Sequence, residues 1–174
     1  HMLDTVVASV ELADAVSACE ADENSVVFSS PDVVAEKSNA YKALVYMREK
    51  YSLPRASINV RNDVPCGVGL GGSSADCAGV IIALNKLFSL GLGEGEMREI
   101  ADKFGSDTAY MITGGFARLT GRGDEIEFFQ SEFCPEVLIA YKGAVSTKQC
   151  FSLFDQIKQS ADFQGNDRLI RLLE

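Results

Sequence analysis

Between Val64 and Ala78 the chain sets Gly67, Gly69, Gly71 and Gly72 ahead of the pair Ser73 and Ser74. Glycines lack a Cβ, so the backbone can approach a ligand closely and turn its N–H groups inward. The serines add hydroxyl donors. An apolar stretch that reads as a helix, Ser74 to Leu90, follows at once and aims its positive end at the same spot. The pattern predicts an anion cradle suited to a triphosphate. A flexible glycine turn capped by Ser74 is the plainer alternative. The strand before, the paired serines and the apolar helix after all weigh against it. No Gly-Lys-Ser/Thr follows, so this is not a Walker A loop. Glu94 and Glu96 fall near the distance of a ribose acid, yet they lie on a predicted helix and not at a strand end, so a Rossmann loop fits poorly.

Other residues could take part in chemistry at such a loop. Asp107 follows the glycine turn at Gly105 and could point into a cleft to accept a proton, or simply cap the next helix. Asp76, in the first turn of the loop helix, could assist Mg²⁺ or favour the helix dipole, the second being preferred. Phe151, with Phe154 nearby, could stack on a base or pack in a core; aromatic stacking is worth about 1–3 kcal/mol per base in nucleic-acid systems. Cys66 reads as a small filler and not a nucleophile, because no base accompanies it. Arg122 reads as a residue of a solvated turn.

These residues need elements to hold them. Thr5–Val10, Ala13–Cys19 and Ser25–Ser29 read as short strands, the last two joined by the polar turn Ala21 to Asn24. Ala40, Leu44, Met47 and Tyr51 recur at helical spacing and predict an amphipathic helix over Val33–Tyr51. Ser57–Asn62 alternates, with Ile58 and Val60 on one side, and reads as a half-buried strand. The helix after the loop carries Val80, Ile81, Ile82, Leu84, Leu87 and Phe88 and is expected to be central. Glu94–Phe104 is a second amphipathic helix, and Ser106 or Asp107 starts a short helical turn through Met111. Phe116–Leu119 and Glu125–Phe129 form a strand pair about the Gly121–Asp124 turn. Val137–Tyr141 is a further strand; Thr147–Ile157 and Asp167–Glu174 are helical. The mixture, with early antiparallel strands, predicts an α+β fold.

The totals bound the function. At 174 residues and 47% hydrophobic content, the chain can build a core. Its net charge of -9 disfavours nucleic acid as a partner. No apolar run is long enough for a membrane span, and no signal peptide is visible. The five cysteines are odd in number and scattered, without CxxC, which predicts reduced thiols, a cytoplasmic location and no metal-ligating set.

The loop resembles the second motif of the GHMP small-molecule kinases, and within that superfamily it is most similar to the 4-diphosphocytidyl-2-C-methyl-D-erythritol kinase family. Pro65 through Ala78 carries Gly-Leu-Gly-Gly-Ser-Ser-Ala-Asp, similar to the family's ATP loop. Phe104 to Met111 resembles its Gly-Ala-Asp-Val-Pro-Phe segment. Gly114-Gly115-Phe116-Ala117 and Gly121-Arg122-Gly123-Asp124 follow at its spacing, and Ser146 to Phe151 resembles its Ser/Pro-Thr-x-x-Phe/Tyr segment. The resemblance implies a GHMP kinase N-terminal domain (ribosomal protein S5 domain 2-like) over 1–133 and the beginning of a second α+β domain over 134–174. It implies ATP with Mg²⁺ and a small-molecule substrate bearing a cytidine diphosphate group, phosphorylated on its 2-hydroxyl in non-mevalonate isoprenoid biosynthesis. Homoserine or mevalonate as the alcohol, and an inactive nucleotide-binding chain, are the alternatives. By the same resemblance Asp107 is the catalytic base. Pro65, Gly67, Gly69, Leu70, Gly71, Gly72, Ser73 and Ser74 hold ATP. His1, Thr147 and Phe151 contact substrate.

Two departures from the family pattern stand out. The first motif's lysine, asparagine and tyrosine are absent, and His1, which stands where that motif's histidine belongs, reads equally as a tag residue. The third, glycine-rich motif is absent as well. Both ends read as cut, so the expectation is a central piece of the family's chain, whose uncovered apolar surface would favour a homo-oligomer.

Overall fold

Period-two apolar spacing and helical spacing resolve into six strands and six helices in the computed structural model, which describes residues 3–133, 146–156 and 164–174. His1 and the strand expected at 137–141 lie outside the described residues. The strands are β1 Leu3–Ala8, β2 Ala15–Glu20, β3 Ser25–Phe28, β4 Ala56–Arg61, β5 Phe116–Gly121 and β6 Glu125–Phe129. The helices are α1 Asn39–Tyr51, α2 Gly72–Leu87, α3 Glu94–Ala101, α4 Ser106–Thr113, α5 Thr147–Phe154 and α6 Gln164–Leu173. The α+β expectation holds.

The chain forms two compact units. One comprises 11–65 and 71–113; the other comprises 1–10, 66–70 and 114–174. In the first, a mixed sheet runs β2-β4-β3, with β2 antiparallel and β3 parallel to β4. The polar turn at 21–24 therefore joins two strands that do not pair with each other: they flank β4. Asn24 ties that turn down by accepting the Ala56 N–H at 3.2 Å. Helices α1 and α2 pack together; α2 also lies against β2 and α1 against β3, the two strands that flank β4. Ala56, Ile58 and Val60 of β4 are buried with Ala43, Leu44 and Met47 of α1 and Val80, Ile81 and Leu84 of α2. Alternation along β4 is as the sequence predicts. Ile82, Leu87 and Phe88 remain half-buried, so α2 is not enclosed on every side.

Two helices differ from expectation. The single helix expected over Val33–Tyr51 is a short 3-10 turn, Ala35–Lys37, followed by α1. Ser38 separates them: its backbone is extended (φ -70°, ψ 152°), and its hydroxyl caps α1 by accepting the Tyr41 N–H at 3.1 Å. Serine competes with helix continuation in this way because its side chain can satisfy an orphan amide. Likewise Glu94–Phe104 ends as α3 at Ala101 and tightens into a 3-10 turn through Phe104.

In the other unit, β1, β5 and β6 form an antiparallel sheet in that order. The β5–β6 hairpin matches the expected pair, with Thr120 opposite Glu125 and Phe116 opposite Phe129. Helix α6 is held to this sheet by charge: Arg118 makes two bonds to Asp4 (2.8 and 2.6 Å) and one to Asp167 (2.7 Å). Asn166 donates to both the backbone and the carboxylate of Asp4. Hydrogen bonding from Arg118 holds the Asp4 carboxyl below its usual range.

Candidate functional site

Strand β4 ends at Arg61, and the chain turns through Asn62, Asp63, Val64 and Pro65 toward the glycine run. Gly67, Gly69 and Gly71 all have left-handed backbone, with φ of 72°, 82° and 72°. Only glycine adopts this conformation without a steric penalty, so the run is a shaped loop and not merely a polar linker. Gly71 is the N-cap of α2, with no side chain to cap it. Ser74 does not serve as the cap expected of a plain turn: it lies inside the first turn, and its N–H, like that of Ala75, bonds to the Gly71 carbonyl at 2.9 Å. The amides ahead of it are the orphan donors that every helix start presents. With a 16-residue helix behind them, they make a site of positive potential.

Space at the loop is limited on one side. A Cβ at Gly71 would stand 2.5 Å from the terminal methyl of Met111 on α4, and one at Gly72 would stand 3.3 Å from Val64 Cγ1. A Cβ at Gly69 would meet nothing within 4 Å. The first two glycines admit close packing; the third supplies its backbone turn alone.

Helix α4 packs on α2 within the same unit and carries Asp107 in its first turn, exposed to solvent. Asp107 is a helical residue behind Ser106, and therefore not a residue that precedes the helix as a cap. Asn39, the first residue of α1, donates to the Phe104 carbonyl at 2.9 Å, fixing the chain just before Gly105. Thus one unit brings together Pro65, Gly71, Gly72, Ser73, Ser74 and Asp107. Gly67, Gly69 and Leu70 belong with the other unit, as do Thr147 and Phe151 on α5. Phe151 is 38% exposed, on a helix that also exposes Phe154. The side chain of Thr147 lies outside the described residues.

Several secondary candidates find structural employment. Glu96 accepts the Gly93 N–H at the start of α3, and Glu94 accepts the Thr113 hydroxyl at 2.6 Å. Cys66 is exposed, which removes its reading as a packed filler. Arg122 is an exposed turn residue, its N–H held by Asp124. Cys77 is buried on α2 and its thiol is pushed up to about 12, first by burial and then by nearby Asp76.

Asp76 overturns its own expectation. It is 5% exposed, and its carboxyl is raised to about 7 by burial and by Asp14. A carboxyl close to neutral adds little to a helix dipole. Its partners, Asp14 and Asn62, were not visible as site residues in the sequence. Asp14 Oδ1 accepts the N–H groups of Asp63 and Val64, both at 2.7 Å. Asn62 donates to Asp14 Oδ2 at 3.3 Å and to Asp76 Oδ2 at 3.4 Å. The one available signal was an acidic residue just ahead of a predominantly small and apolar strand.

Comparison with known proteins agrees with this geometry. Residues 38–117 match the GHMP kinases N terminal domain. A 4-diphosphocytidyl-2-C-methyl-D-erythritol kinase from Bacillus licheniformis is 33% identical over 174 residues, covering 95% of this chain and 59% of the relative. One from Enterococcus faecalis is 31% identical over 157 residues, covering 87% and 56%. The chain thus spans less than two thirds of the curated relatives it matches. A crystal structure of 4-(cytidine 5'-diphospho)-2C-methyl-D-erythritol kinase superposes with a TM-score of 0.61 at 26% identity, covering 73% of this chain and 46% of that one. A homoserine kinase from Cytophaga hutchinsonii shares the fold, with a TM-score of 0.59 at 16% identity over 82% of this chain and 55% of that one. The matched domain, the glycine-capped helix and the shared fold agree, and residues 38–117 form a domain of the GHMP kinases N-terminal type.

Proposed function

We propose that this chain serves the ATP-dependent phosphorylation of the 2-hydroxyl of 4-diphosphocytidyl-2-C-methyl-D-erythritol, in non-mevalonate isoprenoid biosynthesis. The observation that carries the reading is the start of α2: a left-handed glycine cap without a capping side chain, at the end of a loop of left-handed glycines. The relatives' names supply the substrate. The similarity to homoserine kinase, at 16% identity, supports the fold alone. Residues 1–133 are read as the nucleotide domain and 134–174 as the start of a second.

Phosphoryl transfer depends on positioning and charge stabilisation. In this reading the backbone from Pro65 to Gly72 and the hydroxyls of Ser73 and Ser74 hold the phosphates of ATP. Mg²⁺ bound to the nucleotide would supply positive charge against the phosphates. Asp107, on the helix packed beside the loop helix, accepts the proton of the attacking hydroxyl. Phe151 stacks on the cytosine, with Thr147 beside it, and His1 contacts substrate. No helix among the described residues is long and apolar enough to cross a membrane, and a cytoplasmic location suits the scattered thiols.

The test is ADP release from Mg-ATP with the diphosphocytidyl substrate, with CDP added as competitor. Substrate-dependent ADP release that CDP inhibits is expected. ADP release with homoserine or mevalonate, untouched by CDP, would reassign the substrate; nucleotide binding without turnover would leave a binding chain.

A further inference from the structure

Asp14, Asn62 and Asp76 join the two ends of the glycine loop. Asp14 stands just before β2 and holds the two backbone N–H groups of Asp63 and Val64 that lead into the loop. Asp76 stands just past the first turn of α2, close to where the loop ends. Asn62 lies between them and gives one amide group to both carboxyls. Its remaining polar groups are used too: Oδ1 accepts the Ser30 N–H at 3.3 Å, and its backbone N–H goes to Ser29 Oγ at 2.8 Å.

This arrangement is one donor short. Asp76 is buried, and its Oδ1 has no hydrogen-bond partner. An ionised carboxylate there would face a second carboxylate with a single shared amide. The chemistry that satisfies both is a proton: a carboxylic acid at Asp76 can donate to Asp14, which has acceptor capacity left.

We propose that Asp14, Asn62 and Asp76 form a carboxyl–carboxylate clamp that positions the phosphate loop, and that opening the clamp by removing its shared proton weakens nucleotide binding. The three residues do not touch nucleotide; they act through the loop they hold. Among the described residues on elements packed against α2, Asp14 is the acidic group that acts on Asp76; Lys42 of α1 acts on the adjacent Cys77. Burial and Asp14 both raise the proton affinity of Asp76, to about 7, so the clamp opens across neutral pH. A neutral Asp76 also spares the phosphate site a negative charge beneath its amides.

The inference rests on the nucleotide reading of the loop, and the test separates the two. Calorimetric binding of Mg-ATP to the full chain is measured from pH 6 to 8.5 for the native protein, Asp76→Asn, Asp14→Asn and Asp76→Ala. Either asparagine keeps a clamp hydrogen bond without a second charge. The ratio of native to Asp76→Asn Kd should grow from about one to about tenfold across this range, as linkage requires. Titration of the nucleotide itself is common to both and cancels. Asp14→Asn, which leaves Asp76 buried but removes the facing carboxylate, should show a weaker pH dependence than the native chain, while Asp76→Ala binds weakly at every pH. Equal pH profiles for native and Asp76→Asn would overturn the clamp. Should the native chain bind no ATP at any pH, the loop reading fails, and thermal melting without nucleotide then decides. A melting temperature that falls with rising pH in the native chain but stays level in Asp76→Asn upholds the shared proton; parallel curves refute it.

Discussion

Gly71 and Gly69 share a left-handed backbone yet differ in what surrounds them. Alanine at Gly69 introduces only backbone strain, roughly 1–2 kcal/mol for a left-handed L-residue. Alanine at Gly71 adds a collision with the Met111 methyl. The free end of the flexible Met111 side chain can swing aside, so Gly71→Ala is expected to cost about as much as Gly69→Ala in denaturant unfolding, within ~0.5 kcal/mol. Asp107→Ala is expected to abolish ADP production while leaving ATP affinity within about threefold, since an exposed side chain on α4 holds no other part of the loop in place. Loss of ATP binding in that variant would mark Asp107 as structural. The glycines and Asp107 were legible from sequence because local motifs announce them. Asp14 and Asn62 were not: they stand 48 residues apart, and only the fold brings them together.

At the scale of elements, β4 was legible because Ile58 and Val60 alternate strictly with polar neighbours. The break at Ser38 was hidden, because the apolar spacing through Ala40, Leu44 and Met47 extends smoothly backward into residues that pack as a separate turn. Ser38→Ala should destabilise the protein by about 1 kcal/mol through the lost cap, read by chemical denaturation; Ser38→Asp should retain most of it. The order β2-β4-β3 was illegible too, since strand partners are chosen by burial and not by adjacency in sequence. Gly79 illustrates the constraint. A Cβ there would sit 2.6 Å from Val16 Cγ2, so α2 approaches β2 only because this position is glycine. A branched residue at 79 must separate helix from strand, a case of overpacking that typically costs 1–3 kcal/mol.

Over the whole molecule, the two units meet pH from opposite sides. Asp4 has a lowered proton affinity, so the stability from its pairing with Arg118 is present above the ordinary carboxylate range and is lost as pH falls through its depressed value. Asp76 has a raised one, so the stability from its protonated form is lost as pH rises from the ordinary carboxylate range to about 7. The two contributions are therefore largest together near the ordinary carboxylate range, and melting temperature should fall from there toward neutral pH. Asp76→Asn should flatten the neutral side of the curve, and Asp4→Asn the acid side.

The pairing of β1 with β5 has a consequence for how the chain comes to be folded. Leu3 lies opposite Gly121, and Ser9 exchanges hydrogen bonds with Gly115, 106 residues away. A ribosome delivers β1 ahead of its partner β5, which follows only after every residue of the β2-β4-β3 unit has been made. During synthesis Leu3, Val6 and Val7 wait without a neighbour while the intervening residues can already collapse around α1 and α2. Such distant closure is slow, and an unpaired strand is exposed to other chains meanwhile. Chains arrested before residue 116 should be cut by protease within residues 3–8, whereas those extended past 129 should resist: a strand made ahead of the β2-β4-β3 unit finds its place only after that unit is complete.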